Sequence, residues 1–287
     1  MVVAGSASRN LSERVAAELG CELVRPELKR FPDGELYVRV PQELKGEAVA
    51  VVQSTCQPQN DNFMELFFLL HVAKDLGAER VSAVVPYLGY ARQDKRFEPG
   101  EVVSAQTVRV LLEGAGADEF VTVDVHSDKA MESFKIPARN LTAMPLVGKY
   151  LRRFELRDPV VLAPDQGALH HAECVAGELQ ADFDYLVKHR ETPTKVKMEP
   201  KRLNVRGRDA VLVDDIISTG GTIVEASKIL RKQGAGKIYV ACTHAVLVGD
   251  ALEKIRRAGA EEVFATDTIE REISRITVAP LIADALR

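Results

Sequence analysis

Short runs of consecutive apolar residues alternate along the chain with longer segments of mixed polarity. The runs lie at Val49–Val52, Val81–Val85, Phe120–Val125, Val160–Ala163, Ala210–Val213 and Ile238–Cys242. Uninterrupted apolar runs of this length are typical of strands that are covered on both faces, and hence of parallel sheets. Helices are expected in the mixed segments between them, so the pattern predicts a doubly wound α/β architecture with mainly parallel sheets.

Gly-Ala-rich segments precede several of the predicted strands. They occur at Leu76–Val81, Gly114–Val121, Gly234–Ile238 and Ala258–Val263. A glycine just past a helix adopts the left-handed conformation that caps the helix, and the next strand of an α/β unit begins within a few residues. These segments therefore mark helix-to-strand connections.

The chain has 287 residues, which is long for one hydrophobic core and suits two domains of similar size. We place the first domain at residues 1–140 and the second at residues 141–276. The boundary falls near Arg139–Ala143, before a helix that Pro145 is expected to open. Residues 277–287 are expected to form a helix that returns to pack on the first domain.

Composition excludes several classes of protein. The formal net charge of -4 argues against a general nucleic-acid or membrane-surface binder. No apolar stretch reaches the roughly 18 residues of a membrane span, and Met1–Asn10 is expected to be a first strand rather than a signal peptide. The four cysteines are far apart and form no C-x-x-C pair, so we expect a reducing, cytoplasmic location.

Unusual polar sequence follows one of the predicted strands at Asp214 and Asp215. The segment Ser218–Thr222 comes next, before a predicted helix from Ile223 to Gln233. Free backbone N–H groups and the helix dipole attract an anion at such a helix start, and glycines allow close approach. The ionised carboxylates can accept bonds from sugar hydroxyls. The segment therefore predicts a sugar-phosphate site; a solvated acidic turn with a helix cap is the alternative.

Two further segments carry polar side chains that suit a nucleotide. Phe31–Glu35 on its own would be a surface turn. The segment Tyr90–Arg96 follows a predicted strand and contains three cations, Arg92, Lys95 and Arg96, together with the amide of Gln93. Cations and a planar amide can bind a polyphosphate and the edge of an adenine. A solvated charged loop is the alternative interpretation.

Two more segments offer metal ligands at predicted strand ends. His126 lies in Asp124–Ser127, and Asp165 lies in Ala163–Ala168. An imidazole and a carboxylate can share one magnesium or manganese ion with phosphate oxygens. A plain hydrogen-bonded histidine is the alternative for His126.

Taken together, and in their order along the chain, the five segments resemble those of the ribose-phosphate pyrophosphokinases. The segment Val211–Thr222 by itself also resembles the signature of the type I phosphoribosyltransferases. The resemblance covers nearly the whole chain and implies two doubly wound phosphoribosyltransferase-like domains. It also implies transfer of the pyrophosphoryl group of ATP to the 1-hydroxyl of ribose 5-phosphate, with Mg²⁺ as cofactor, in a homo-oligomer of at least two chains.

The resemblance assigns roles residue by residue. Asp33 and Glu35 would reach the ATP site of a neighbouring subunit. The catalytic cations would be Lys188 and Arg190, on a mobile loop that continues through Glu191–Lys195. The expected ATP-binding residues are Phe31, Asp33, Gly34, Glu35, Arg92 and Gln93. The expected metal ligands are His126 and Asp165. The expected ribose 5-phosphate residues are Arg190, Asp214, Asp215, Ser218, Thr219, Gly220, Gly221 and Thr222.

The sequence departs from the family pattern at Ala168, which replaces the second glycine of the pyrophosphate loop. We expect its methyl group to lie close to a phosphate. There is no G-x-x-x-x-G-K-[ST] segment, so ATP binding is not of the P-loop type. A phosphoribosyltransferase without an ATP site and a non-catalytic regulatory relative remain the competing interpretations.

Overall fold

A computed structural model describes residues 1–127, 129–190, 196–199 and 203–287. The chain forms two compact units. Unit 1 comprises Met1–Thr142 together with Thr277–Arg287, and unit 2 comprises Ala143–Ile276. Within the described part of the chain, no helix combines the length and apolar character that crossing a bilayer requires.

The regular elements alternate between strand and helix over most of the chain. The strands are β1 (Val2–Ala4), β2 (Leu23–Val24), β3 (Glu27–Arg30), β4 (Leu36–Arg39), β5 (Ala48–Val52), β6 (Arg80–Val85), β7 (Glu119–Val123), β8 (Ala138–Leu141), β9 (Val160–Ala163), β10 (Asp182–Tyr185), β11 (Val187–Arg190), β12 (Val196–Glu199), β13 (Ala210–Ile217), β14 (Ile238–Ala245), β15 (Glu262–Thr266) and β16 (Ser274–Ile276). The helices are α1 (Arg9–Leu19), α2 (Gln59–Asp75), α3 (Ser104–Gly114), α4 (Lys129–Glu132), α5 (Met144–Leu151), α6 (Leu169–Leu179), α7 (Gly221–Lys232), α8 (Ala251–Arg257) and α9 (Ala279–Leu286). Short 3-10 turns lie at Ser6–Ser8 and Gln166–Ala168.

Each unit contains one six-stranded sheet in which all neighbouring strands are parallel. The order is β2-β1-β5-β6-β7-β8 in unit 1 and β10-β9-β13-β14-β15-β16 in unit 2. Each unit also has a two-stranded antiparallel hairpin, β3–β4 or β11–β12. The predicted fold class, two doubly wound domains with mainly parallel sheets, is therefore confirmed.

Burial on both faces explains the uninterrupted apolar runs. In β13, Leu212 packs in one hydrophobic cluster of unit 2, whereas Val211 and Val213 pack in another. Alternate side chains of a strand leave it on opposite faces, so a strand between two cores is apolar at every position. In unit 1 the strand residue Phe120 is likewise fully buried.

The predicted helix caps are confirmed at the Gly-Ala-rich segments. Gly77, Gly116, Gly234 and Gly259 all have positive φ, between 79° and 103°. Only glycine adopts this conformation at little steric cost, so each one ends its helix and turns the chain towards the next strand.

The C-terminal helix belongs to unit 1. Helix α9 packs against α1, and its Ile282 and Ala283 are buried. The guanidinium of Arg287 donates a hydrogen bond to the carbonyl oxygen of Glu18 at 2.8 Å. The last segment of the chain therefore completes the fold of the first unit.

Three local predictions were wrong. Strand β13 does not end at Val213, because its ladder with β14 continues through the pair Ile217–Ala245. Helix α7 begins at Gly221 rather than Ile223. The segment Lys188–Arg190 is not a loop, because its backbone pairs with β12 in an antiparallel hairpin. The expected continuation of the loop, Glu191–Lys195, lies outside the described residues.

Candidate functional site

The loop after β13 is built around Gly220. This residue has φ 75° and is the N-cap of α7, with no side-chain cap. A Cβ atom here would lie 3.1 Å from Cδ1 of Ile255 and 3.2 Å from the carbonyl oxygen of Ala251. Both the backbone conformation and the contact with α8 therefore require glycine. The first N–H groups of α7 are left for a ligand, since a helix start has no intrahelical partners for them.

Asp214 and Asp215 stand within the strand that leads into this loop. Adjacent residues of a strand leave it on opposite faces, so the two carboxylates do not lie side by side. Asp214 is half-buried and Asp215 is buried. One oxygen of Asp214 accepts a bond from the N–H of Asp215 at 3.0 Å, and Asp215 accepts one from Ile216 at 2.8 Å.

The rest of the loop is partly open. Thr219 and Gly221 are exposed, and Ser218 and Thr222 are half-buried. The carbonyl oxygen of Ser218 accepts a hydrogen bond from Val248 at 3.0 Å, so the loop after β14 supports it. Hydroxyl groups and backbone N–H groups therefore surround the start of α7.

The loop after β9 lies at the same edge of the sheet, because β9 and β13 are parallel neighbours. The side chain of Asp165 accepts bonds from the N–H groups of Gly167 at 3.0 Å and Ala168 at 3.3 Å. Gln166 and Gly167 are exposed. Ala168 is only 8% exposed and packs in the hydrophobic cluster that contains Val161. The expectation that its methyl group lies against a phosphate is corrected: the methyl group belongs to the core.

The expected catalytic residues Lys188 and Arg190 lie in β11 of the unit 2 hairpin. Their register partners in β12 are Met198 and Val196.

In unit 1 the segment Phe31–Glu35 forms the tip of the β3–β4 hairpin, and all of it is exposed. The turn is closed by a bond from Phe31 N–H to the carbonyl oxygen of Glu35 at 2.9 Å, with Gly34 at φ 98°. At its base Arg30 forms an ion pair with Asp61, in the first turn of α2. Asp33 accepts a bond from Glu35 N–H at 3.2 Å.

The loop after β6 carries Arg92 and Gln93, and its organising residue is Glu101. One carboxylate oxygen of Glu101 accepts bonds from the side-chain amide of Gln93 at 3.2 Å and from the N–H of Phe97 at 2.7 Å. The backbone N–H groups of Phe97 and Glu98 lower the pKa of Glu101, so the carboxylate stays ionised. Arg92 is exposed. Sequence reasoning missed Glu101; the turn that Pro99 and Gly100 introduce just before it was the available signal.

His126 lies in the loop after β7 and is exposed. Its neighbour Ser127 donates a hydrogen bond to Asp94 at 2.6 Å, which lowers the pKa of that carboxyl group. The loops after β6 and β7 are thus joined beside Arg92 and Gln93. Among the described residues, no three histidine, cysteine or acidic side chains form a cluster that could hold a metal.

Residues that flank the expected ATP segments of unit 1 are attached to the start of α2. Asp61 pairs with Arg30 below the hairpin tip, and the neighbouring Asn60 accepts a hydrogen bond from the hydroxyl of Tyr90. The hairpin tip and the loop after β6 are therefore both fixed to one helix turn. Asn60 and Asp61 were missed by sequence reasoning because only the folded chain brings them to these loops. In unit 2 the loops after β9 and β13 share one sheet edge.

The two units each contain a parallel six-stranded sheet, and the helix start after β13 has a glycine N-cap and suits a phosphate. This combination is typical of α/β proteins of the phosphoribosyltransferase-like class. Residues 1–116 match the family profile described as the N-terminal domain of ribose phosphate pyrophosphokinase, and residues 157–286 match the phosphoribosyl synthetase-associated domain. The chain belongs to the ribose-phosphate pyrophosphokinase family. The family resemblance that the sequence segments indicated is confirmed.

Relatives support this assignment over the full length. The ribose-phosphate pyrophosphokinase of Methanothermobacter thermautotrophicus is 52% identical over 287 residues, covering 100% of both chains. That of Methanopyrus kandleri is 46% identical, covering 100% of this chain and 98% of its own. The crystal structure of phosphoribosylpyrophosphate synthetase from Mycobacterium smegmatis superposes with a TM-score of 0.90 at 34% identity, covering 100% of this chain and 97% of that one.

Proposed function

We propose that this protein transfers the pyrophosphoryl group of ATP to the 1-hydroxyl of ribose 5-phosphate, giving 5-phosphoribosyl 1-diphosphate and AMP. The observation that carries the proposal is the loop after β13. Two aspartates lead into a helix start whose N-cap is a glycine. Carboxylates suit the hydroxyls of a sugar phosphate, and a helix start suits its phosphate. Full-length similarity to ribose-phosphate pyrophosphokinases supports the same reaction.

In the proposed reaction the 1-hydroxyl oxygen attacks the β-phosphorus of ATP in line. A bond forms from this oxygen to phosphorus, the bond to the α–β bridging oxygen breaks, and the hydroxyl proton leaves. Such a transfer needs positioning and charge neutralisation more than covalent chemistry from the protein. We assign the charge neutralisation to Lys188, Arg190 and Arg92.

Binding roles follow the same proposal. Asp214, Asp215 and the segment Ser218–Thr222, with Arg190, bind ribose 5-phosphate. The exposed tip Phe31–Glu35 and the loop residues Arg92 and Gln93 bind ATP.

His126 and Asp165 are the proposed Mg²⁺ ligands. Asp165 follows β9 with its carboxylate held by two backbone N–H groups, and His126 is exposed beside the loop of Arg92 and Gln93. The carboxylate of Asp165 suits Mg²⁺, which proteins usually bind through one or two carboxylates while water and substrate phosphates complete its shell. When bound, the ion would offset the negative charge of the transferring group.

The reaction is tested by incubating the protein with ATP, ribose 5-phosphate and Mg²⁺, and measuring AMP. AMP formed only when ribose 5-phosphate is present is the expected result. A phosphoribosyltransferase would instead consume phosphoribosyl pyrophosphate with a base and release no AMP from ATP. A non-catalytic relative would show neither activity. Either outcome would contradict the proposal.

We also propose a homo-oligomer of at least two chains, in which Asp33 and Glu35 complete the ATP site of a neighbour. Closed two-fold pairs are the commonest assembly, and such a pair completes two sites at once. Glu35→Ala and Arg190→Ala, each weak alone, should regain activity when mixed and allowed to exchange subunits, because a mixed pair contains one intact site. If exchange is verified by mass and the mixture stays as inactive as its parents, the shared site is wrong.

A further inference from the structure

The turn after β14 contains a residue in an unfavourable backbone conformation. Leu247 has φ 47°, in the left-handed region where residues other than glycine are uncommon. Its half-buried side chain packs against the hydrophobic cluster that contains Ile217 and Ile223. Strain of this kind persists only where the surrounding structure holds it, and it is concentrated at functional sites. The position of this turn beside the loop after β13 therefore points to a role in that loop.

The left-handed turn directs two consecutive N–H groups to the same neighbouring segment. The N–H of Leu247 donates to the carbonyl oxygen of Ile217 at 3.0 Å. The N–H of Val248 donates to the carbonyl oxygen of Ser218, also at 3.0 Å. Along a regular strand consecutive N–H groups point to opposite sides, so only alternate ones bond to the same neighbour. The positive φ of Leu247 therefore brings the N–H of Val248 round to Ser218.

The bond to Ser218 sets the direction of the next N–H group in the loop after β13. In a planar trans peptide the C=O and the N–H that follows it point in opposite directions. Because the carbonyl group of Ser218 is turned towards Val248, the N–H of Thr219 points away from the β14 turn. No described residue accepts a hydrogen bond from this N–H group, and Thr219 is exposed. The donor is therefore available to a ligand of the loop.

The base of the turn is fixed by buried polar groups at the end of β14. The ring Nδ1 of His244 lies 2.9 Å from the hydroxyl oxygen of Thr268, and the same hydroxyl donates to the carbonyl oxygen of Thr243 at 2.9 Å. All three residues are buried. The carbonyl oxygen of His244 accepts a bond from the N–H of Val246 at 3.1 Å. The chain that leads into Leu247 is therefore held in place while Leu247 keeps its strained conformation.

We propose that Leu247 is a positioning residue for ribose 5-phosphate. Its left-handed backbone turns Val248 to Ser218 and so aims the N–H of Thr219 at the phosphate of the sugar. This inference rests on the proposed function, because the ligand is the ribose 5-phosphate assigned to that loop. Leu247 acts through the direction of a peptide group rather than by touching the substrate. Packing of its side chain offsets the cost of the positive φ.

Three substitutions separate the backbone role from packing. Positive φ is increasingly disfavoured from glycine through alanine to valine, so the KM for ribose 5-phosphate should rise in the order Leu247→Gly, Leu247→Ala, Leu247→Val. The valine variant should reach about tenfold, the effect of losing a hydrogen bond to a charged group, whereas the KM for ATP should not change. Packing alone predicts the opposite order, because glycine leaves the largest space and valine the smallest. That opposite order, three equal values or an equal rise in the KM for ATP would overturn the proposal.

The matched control for strain is Gln180→Val. Gln180 also has a left-handed backbone, with φ 53°, but it caps the C-terminus of α6 in the same unit and is exposed. Valine should be strained there as well and lower the thermal midpoint, as it does at position 247. The KM for ribose 5-phosphate should stay at the wild-type value. An equal rise in this KM for Gln180→Val and Leu247→Val would assign the effect to lost stability and overturn the positioning role.

Amide hydrogen exchange, measured by mass spectrometry, tests the turn without any reaction. In the absence of ligand, exchange at Val248 should be faster in Leu247→Val than in the wild type and unchanged in Leu247→Gly. Added ribose 5-phosphate should slow exchange at Thr219 in the wild type and in Leu247→Gly, but not in Leu247→Val. Wild-type exchange at Val248 in Leu247→Val would overturn the proposal.

The two proposals fail separately. A wild-type protein that makes no AMP contradicts the proposed reaction. Exchange at Val248 in the absence of substrate still reports whether the backbone of Leu247 holds the loop after β13.

Discussion

Units 1 and 2 have the same strand order, and four of their early elements begin at matching positions. The first 3-10 turn, the first helix and the two hairpin strands begin at residues 6, 9, 27 and 36 in unit 1 and at 166, 169, 187 and 196 in unit 2, a constant offset of 160. By this offset Gly5 corresponds to Asp165, and Arg30 corresponds to Arg190. The units differ in the side chains that bond to the loop after their first strand.

In unit 1 the loop after the first strand is satisfied by the protein itself. The buried carboxylate of Glu65 accepts bonds from the N–H of Ser6 at 2.6 Å and its hydroxyl at 2.5 Å. The side-chain oxygen of Gln53 accepts a bond from the N–H of Ala7 at 2.9 Å. A Cβ at Gly5 would lie 2.3 Å from Gln53. Backbone N–H groups that already donate to buried side chains are not free to bind a phosphate. The loop after the first strand of unit 1 is therefore closed to such a ligand.

In unit 2 the corresponding loop keeps an acid at its start and exposes Gln166 and Gly167. By the same offset Glu65 corresponds to Glu225 in α7, whose carboxylate instead accepts a bond from the ammonium group of Lys228 at 2.7 Å. One strand order therefore supports a closed loop in unit 1 and an open loop in unit 2, the unit to which we assign ribose 5-phosphate. The contrast teaches that the side chains at the strand ends, rather than the topology, decide which loop is open to a ligand.

The largest expected effect is a loss of turnover that separates the β11–β12 hairpin of unit 2 from the β3–β4 hairpin of unit 1. Arg190→Ala and Lys188→Ala should each lower kcat about 10²- to 10³-fold, by analogy with the loss of one donor to a transition state, and this loss should far exceed any rise in the KM for ribose 5-phosphate. Steady-state kinetics measure both. The matched variant is Arg30→Ala, whose exposed ion pair with Asp61 is worth at most about 1 kcal/mol. Its kcat should stay within about fivefold, and equal losses in both hairpins would break the comparison.

Asp214 distinguishes the ribose 5-phosphate loop from the ATP loops. Asp214→Asn should raise the KM for ribose 5-phosphate about 10- to 100-fold, the range expected for losing a hydrogen bond to a charged group. ATP binding, measured by calorimetry, should be nearly unchanged. Asp284→Asn on the exposed face of α9 serves as control and should alter neither substrate. Equal losses for ATP and ribose 5-phosphate in Asp214→Asn would contradict the division of roles.

Glu65 and Asp165 test closed against open loops. Glu65→Ala should lower the free energy of unfolding by about 2–3 kcal/mol, because it leaves the half-buried donors of Ser6 without their acceptor. Asp165→Ala should cost less than about 1 kcal/mol, since its loop faces solvent, yet it should lower activity through the proposed metal site. Denaturant unfolding measures the stability of each variant, and an AMP assay measures its activity. A larger stability loss in Asp165→Ala would reverse the comparison.

The smallest effect is expected at Ala168. Because its methyl group is buried in the core of unit 2, Ala168→Gly should cost about 1 kcal/mol of stability and leave turnover within about twofold. The position corresponds to Ser8 in unit 1, whose hydroxyl accepts a bond from Ser54 N–H at 2.8 Å. A marked gain in turnover for Ala168→Gly would mean that the methyl group obstructs the phosphate after all.

Local signals were sufficient for much of the fold. Apolar runs predicted the strands because a strand between two cores, such as β13, is apolar at every position. Positive-φ glycines such as Gly77 ended the helices as expected. The strand ends were misjudged where polar residues continue a ladder: Asp214 and Asp215 are charged, but their backbone still pairs with β14. Side-chain polarity carries no information about that pairing.

By itself, the sequence determined the α/β class, the order of the functional segments and the family, because these depend on residue types that are near one another in the chain. Tertiary structure alone decided that Glu65 closes the loop of unit 1, that Glu101 gathers Gln93 and Phe97, and that Ala168 faces the core. The physical reason is that each of these outcomes depends on which side chains come to lie beside a backbone N–H group or in the core. Residues that are 59 apart in sequence, such as Ser6 and Glu65, meet only after the chain has folded.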